Sequence, residues 1–241
     1  MKVLVIDVGG THVKLLVSGE HVRRELASGP SLRPANMVKQ VKRLTADWTY
    51  DAISIGYPGL VVHGRIAAEP VNMGRGWVGF DFQKAFGRPV KIMNDAAMQA
   101  LGSYAGGRML FLGLGTGLGT AMIVDDDVVP MELAHLPYKK GRSYEHYVGA
   151  KGLKRLGARK WRKHVRTVIA QLRAALEPDD IVVGGGNAAK LGRAPDGVRL
   201  GDNANAFAGG FRLWKRAGAH RTARDRKAQH RHKGGAQCSS E

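Results

Sequence analysis

The run Lys2-Val3-Leu4-Val5-Ile6 passes without a break into Asp7-Val8-Gly9-Gly10-Thr11, an order that few architectures accept. An apolar, β-branched run that ends in an acid and a glycine pair is a strand delivering a carboxylate onto a tight turn. Glycines there let backbone N–H groups approach a phosphate closely, and Thr11 adds a hydroxyl donor. A second glycine turn, Leu114-Gly115-Thr116-Gly117-Leu118-Gly119-Thr120, follows the apolar strand at 109–112 and leads into a strand at 120–124. Ile181-Val182-Val183 runs into a third turn, Gly184-Gly185-Gly186-Asn187. One such turn is common. Two in matching strand contexts, about one domain apart, point to a phosphate chain held between related halves.

Strands and helices alternate along the rest of the chain. Residues 14–18 continue into a hairpin arm, and 36–48 have helical spacing with Met37, Val41 and Leu44 on one face. A short strand at 52–55 meets the breaker-rich turn Gly56-Tyr57-Pro58-Gly59, and a strand at 89–93 ends at Asn94-Asp95 before a helix at 96–104. Residues 154–176 read as a long helix with Trp161, Val165, Ile169, Leu172 and Leu176 as its apolar stripe and basic residues on its other faces. A last short helix falls within 200–214, and residues beyond about 215 are too poor in apolar side chains to fold. The expected division is 1–105, with the first phosphate turn and a sugar loop, then 106–214 with the second turn, then a basic tail at 215–241.

The 241 residues suffice for a substantial core. Asp7 interrupts the first apolar run, which speaks against a secretory signal, and the uncharged stretch 109–124 is shorter than the roughly 18 residues a membrane span needs. With Cys238 as the single cysteine, no internal disulfide or multi-cysteine zinc site can form, which fits a reducing, cytoplasmic setting. The net charge of +18 is concentrated: 139–173 holds twelve Lys/Arg against Glu145 alone, and 216–241 holds seven against Asp225 and Glu241. Such a basic face and tail raise the local concentration of a polyanion, or are simply a solvated helix face and an unfolded end. Few aromatics interleave these segments and no nucleic-acid motif occurs, which argues against nucleic acid as the partner.

Taken in order, Asp7-Val8-Gly9-Gly10-Thr11, Gly56-Tyr57-Pro58-Gly59, Asn94-Asp95, the turn at 114–119, Glu132-Leu133-Ala134-His135 and Gly184-Gly185-Gly186 resemble the ROK family of sugar kinases, in its polyphosphate glucokinase branch. The likeness covers residues 1 to about 190. It implies an α/β fold of two actin-like (ribonuclease H-like) domains with a cleft between them, and transfer of a phosphoryl group from polyphosphate or ATP to the 6-hydroxyl of glucose or a related hexose. The +11 segment argues for polyphosphate, because a long polyanion gains from charges beyond the first few phosphates. The resemblance also implies a homodimer. The competing reading is a non-catalytic sugar- or polyanion-binding regulator derived from such a kinase.

By this resemblance Asp95 takes the proton from the 6-hydroxyl, while its position alone favours a cap on the helix that follows. Asn94, Asn72 and Gly59 join the sugar site, as do Glu132 and His135, a pair three residues apart that is also ordinary on any helix. Glu145 is a further sugar ligand by resemblance, and Trp77 reads as core. Asp7 would orient Mg²⁺, directly or through water. Gly9, Gly10, Thr11, Gly115, Thr116 and Gly117, with Gly184, Gly185 and Gly186, would hold donor phosphates. Lys14 could assist or be a solvated charge. Two departures stand out. The cysteine cluster that binds structural zinc in the larger ROK branch is missing, so no zinc site is expected and His135 is left to the sugar. Ala134 replaces the glycine of E-x-G-H, which would strain that position if it needs positive φ.

Overall fold

β1 (Val3–Val8) is buried on both sides, and its alternation sorts the core of the first half. In the computed structural model, which describes residues 1–202 and 204–215, β1 pairs with an antiparallel β2 (His12–Val17), itself paired with β3 (Arg24–Ala27). On its other side runs a parallel β4 (Ala52–Tyr57). The hairpin β5 (Val61–Val62) and β6 (Arg65–Ile66) intervenes before β7 (Val90–Asn94) completes the sheet in the order β3-β2-β1-β4-β7. Leu4, Ile6 and Val8 face α1 (Pro34–Leu44) and α2 (Phe82–Phe86), joining Met37, Val41 and Phe82 in one core. Val3 and Val5 face the opposite side and meet Met98 of α3 (Asp95–Ser103).

The second half repeats this plan. β8 (Arg108–Leu114), antiparallel β9 (Leu118–Val124) and β10 (Asp127–Met131) precede a small ribbon of β11 (Pro137–Lys139) and β12 (Arg142–Ser143). Next come α4 (Tyr144–Val148) and the long α5 (Ala150–Leu176). β13 (Asp180–Gly184) and β14 (Val198–Leu200) then close a sheet of order β10-β9-β8-β13-β14, with the same parallel and antiparallel pairings as the first. α5 buries Trp161, Val165, Val168, Ile169 and Leu172 against this sheet. It starts four residues earlier than the sequence pattern indicates, with Gly152 accommodated in its first turn. Only Gly157 breaks it, with a φ of +72° that kinks the helix.

α6 (Asn205–Lys215) crosses back to the first sheet. Assigned by chain position to the second half, it instead packs on the first: Ala206 and Phe207 join Val3, Val5 and Met98, and Ser54 Oγ of β4 donates to the Gly210 carbonyl at 2.6 Å. Its crossing with α3 is backbone to backbone. A Cβ at Gly102 would stand 1.8 Å from the Asn205 carbonyl oxygen, and one at Gly209 1.8 Å from that of Met98. An amphipathic stripe says that a helix covers a sheet, not which of two like sheets it covers. The tail from 216 onward lies outside the described residues. No helix among those described is long and apolar enough to cross a membrane.

Candidate active site

Asp7 continues the Val3/Val5 alternation of β1 and so points toward α3. It pairs across the sheet with Lys14 on one side and with Gly56 on the other. The bare Cα of Gly56 leaves room there, since a Cβ would meet Met98 Cε at 2.2 Å and Asp7 Oδ1 at 3.7 Å. Burial raises the Asp7 carboxyl pKa above the usual range, against the pull of the neighbouring Lys14 ammonium. The Gly9 N–H donates to the His12 carbonyl at 3.0 Å to close the turn, so it is already engaged. Gly10 and Thr11 stand exposed at the rim.

Where β7 becomes α3, Asn94 and Asp95 divide the work. Asn94 is the cap: its Oδ1 accepts from the Ala97 N–H at 3.1 Å, and its Nδ2 donates to the Gly59 carbonyl at 3.1 Å. The capping alternative for Asp95 is therefore corrected. Asp95 is the first residue of the helix proper, with Oδ1 accepting from the Ala96 N–H at 2.8 Å. Burial pushes its carboxyl up to about 7, helped by the negative charge of Asp7 and, more weakly, Glu132, and opposed by the backbone N–H groups. A carboxyl titrating near neutrality at a strand-to-helix corner is matched to taking a proton from an alcohol.

The second glycine turn is braced from two directions. The Ala150 N–H, at the start of α5, donates to the carbonyls of Gly115 and Thr116, and Asn187 Nδ2 donates to Gly115 at 3.1 Å. Gly185, with φ +85°, lies under it, so close that a Cβ would sit 2.7 Å from the Leu114 carbonyl oxygen. Gly184 and Gly186 flank that contact, and the third turn therefore supports the second. On β9, Gly119 lies against α3, where a Cβ would be 2.7 Å from that of Ala96. This contact brings the second turn beside Asp95.

Gly59, Asn94, Glu132 and Thr120 line one recess between the halves. Thr120 Oγ1 donates to the Met131 carbonyl at 2.6 Å and accepts from the Leu133 N–H at 3.2 Å, fixing the segment that carries Glu132. His135 Nε2 stands 3.7 Å from Glu132 Oε2, both side chains largely exposed. Ala134 lies between them with negative φ and its methyl buried, so the strain expected of an alanine at this position does not arise. Glu145 lies elsewhere: its Oε2 accepts from the Leu118 N–H at 3.4 Å and covers Gly117, on the second turn rather than in the recess. Asn72 is exposed on a loop outside the recess. That loop is pinned by Glu69, whose carboxylate accepts from the N–H groups of Gly76, Trp77 and Val78. Trp77 is fully buried against Tyr57 and Phe82, as core. Thr120 and Asn187 end the second and third turns, but nothing local marks the hydrogen bonds that they and Glu69 make.

Residues 3–130 match the family described as ROK family. A polyphosphate glucokinase of Mycobacterium tuberculosis is 27% identical over 202 residues, covering 75% of this chain and 76% of that protein. The structure superposes on an inorganic polyphosphate/ATP-glucomannokinase from Arthrobacter sp. strain KM with a TM-score of 0.74 at 24% identity, covering 87% and 96% of the two chains. It likewise matches a glucokinase from Streptomyces griseus in complex with glucose and AMPPNP, with a TM-score of 0.72 at 17% identity over 88% and 99%. The two sheets thus form the actin-like pair of halves that the sequence motifs indicate.

Proposed function

The chain belongs to the ROK family, and from that membership we propose that it transfers a phosphoryl group from polyphosphate or ATP to the 6-hydroxyl of glucose or a related hexose. The names of its relatives support a sugar kinase. The observation that carries the finer reading is Asp95, a carboxyl poised at about 7 where α3, Asp7 and the second glycine turn converge.

In this reading the hexose lies in the recess of Gly59, Asn94 and Glu132. Asn94 has one N–H left after its bonds to the helix and to Gly59, and Glu132 and His135 offer an acceptor and a donor at the open rim. Asp95 takes the hydroxyl proton as the alcohol oxygen bonds to phosphorus, and the bridging P–O bond of the donor breaks. Gly10, Thr11 and, on the second turn, Thr116 and Gly117 face the donor phosphates, the Gly115 N–H being bonded to the Gly117 carbonyl, while Lys14 sets its charge beside Asp7. No group of three or more His, Cys, Asp or Glu among the described residues forms a self-sufficient metal site. Asp7 fits Mg²⁺ as a single protein carboxylate, with donor phosphates and water completing the shell. A bound Mg²⁺ would supply neutralisation of charge on the transferring group. Loss of one positioned base costs roughly 10²- to 10⁴-fold, so Asp95→Asn should nearly abolish glucose-6-phosphate formation while calorimetry still detects glucose binding. Full activity in this variant would refute the assignment.

A further inference from the structure

Outside the cleft, three elements of the second half converge on one groove. The β11–β12 ribbon supplies Lys139, Lys140 and Arg142, α4 supplies Tyr147, and α5 supplies Arg155 and His164. No Asp or Glu lines it. Among the described residues, none of its four Lys and Arg side chains lies within ion-pair distance of a carboxylate. Four like charges held together unpaired repel one another, and an anion removes that cost.

The groove is built rather than splayed. The Arg155 guanidinium donates to the His146 carbonyl at 2.9 Å, and Arg142 hydrogen-bonds the His146 ring. Tyr138 Oη and His164 Nδ1 are 3.0 Å apart, and Tyr147 Oη donates to the Lys139 carbonyl at 3.3 Å. Burial, followed by the Lys139 and Arg155 charges, holds His164 below its ordinary pKa. Its aromatic surface is already occupied: Lys139 Nζ lies 5.2 Å from the Tyr138 ring centre and the Arg155 guanidinium carbon 5.6 Å from that of Tyr147, while Tyr138 and Tyr147 pack edge-on. These cations and the edge-on packing limit the ring faces left to a nucleobase.

Position supplies the last link. α4 carries Glu145 on the second glycine turn and Tyr147 in the groove. α5 begins at Ala150, bonded to that turn, and Arg155 lies five residues on, about 7.5 Å along the helix axis. The groove therefore begins within two turns of α5 from the glycine turn, within reach of a phosphate chain that passes the Glu145 carboxylate over Gly117. A nucleotide, whose phosphates end in a nucleoside, offers no such chain.

We propose that this groove is a second phosphate subsite that holds the distal part of an inorganic polyphosphate whose terminal phosphate lies in the cleft. It rests on the kinase reading above and assigns long polyphosphate as the preferred donor. The test compares the wild type with Lys139→Ala/Arg155→Ala and with the charge-keeping Lys139→Arg/Arg155→Lys, in direct binding of labelled long-chain polyphosphate without sugar and in glucose-6-phosphate kinetics. Removing two anchor points of a multivalent contact should weaken polyphosphate binding and raise its KM by about tenfold or more, while the KM for ATP stays within about twofold and the charge-keeping pair stays close to wild type. Unchanged polyphosphate binding in the alanine pair, or an equal rise in the KM for ATP, would overturn the proposal. So would an RNA oligomer of equal charge that binds the wild type more tightly and loses affinity in the alanine pair. If the wild type phosphorylates no sugar with any donor, the kinase reading falls, and the binding measurement still decides the groove.

Discussion

Between the last paired residues of β1–β2, Val8 and Val13, lie the four residues 9–12, whereas β8–β9 closes from Leu114 to Leu118 over the three residues 115–117. The sheets around these turns have one topology. Where the first half places Asp7 against Gly56 of its parallel neighbour, the second places Gly113 against Gly184. One half thus contributes a buried charge at its turn. The other contributes bare backbone, thin enough for Gly119 to reach the α3 residue beside Asp95. A repeated fold need not repeat its chemistry: the shared topology fixes where a turn stands, and one side chain decides whether it carries a charge.

Exchanging that side chain tests the division most severely. Asp7→Gly makes the first turn resemble the second, and loss of this electrostatic contribution should lower kcat by roughly 100- to 1,000-fold. Gly113→Asp, the converse, should raise the KM for the phosphate donor without creating a second competent site. Steady-state kinetics on both variants decide the matter, and near-normal turnover of Asp7→Gly would erase the distinction between the halves.

A smaller loss is expected from thickening the bare side. The methyl groups of Gly119→Val would meet Ala96, where even a Cβ is only 2.7 Å away. Misplacing the second turn by about an ångström should cost on the order of 100-fold in kcat/KM. Circular dichroism should still show a folded protein, because the clash lies at the junction of the halves rather than inside either sheet.

The charged side also sets a pH dependence. The Asp95 carboxyl lies at about 7, above its ordinary 3.8, so its base form is present above neutrality and is lost as pH falls through 7. The acid limb of kcat/KM for the free enzyme should therefore centre near that value. Asp7 contributes to the shift, so Asp7→Asn should move the Asp95 titration, followed by carboxyl NMR, to lower pH. An unmoved titration would show that the two carboxyls do not sense each other.

What the sequence disclosed was local. Asp7, the glycine turns and the Asn94-Asp95 corner were legible because strand, acid and turn are contiguous in the chain. The docking of α6 on the first sheet was not, since its stripe suits either sheet. The bracing roles of Glu69, Thr120 and Asn187 were invisible for a related reason: each acts on backbone groups that only folding brings within reach. At 94–95 the acid was visible, but which of two adjacent polar side chains caps the helix depends on where the first turn of α3 begins. Glu145 shows the same limit from the other side. Motif order grouped it with the sugar ligands, and the fold sets it over Gly117.

The smallest expected effect concerns Ala134, where motif and geometry disagree. Restoring the glycine of E-x-G-H by Ala134→Gly would relieve strain if the position required positive φ. Here φ is negative and the methyl is 2% exposed, so glycine gives up a buried contact and gains freedom in the unfolded chain. The substitution should then destabilise by about 0.5–1 kcal/mol, measured as a lower denaturation midpoint at unchanged slope, with hexose KM values close to wild type. A gain in stability would mean that alanine strains this position, as its replacement of the motif's glycine suggests. A loss would mean that the Glu132 and His135 side chains are positioned by packing beneath them, through Ala134 and the Thr120 hydroxyl, rather than by a special backbone conformation between them.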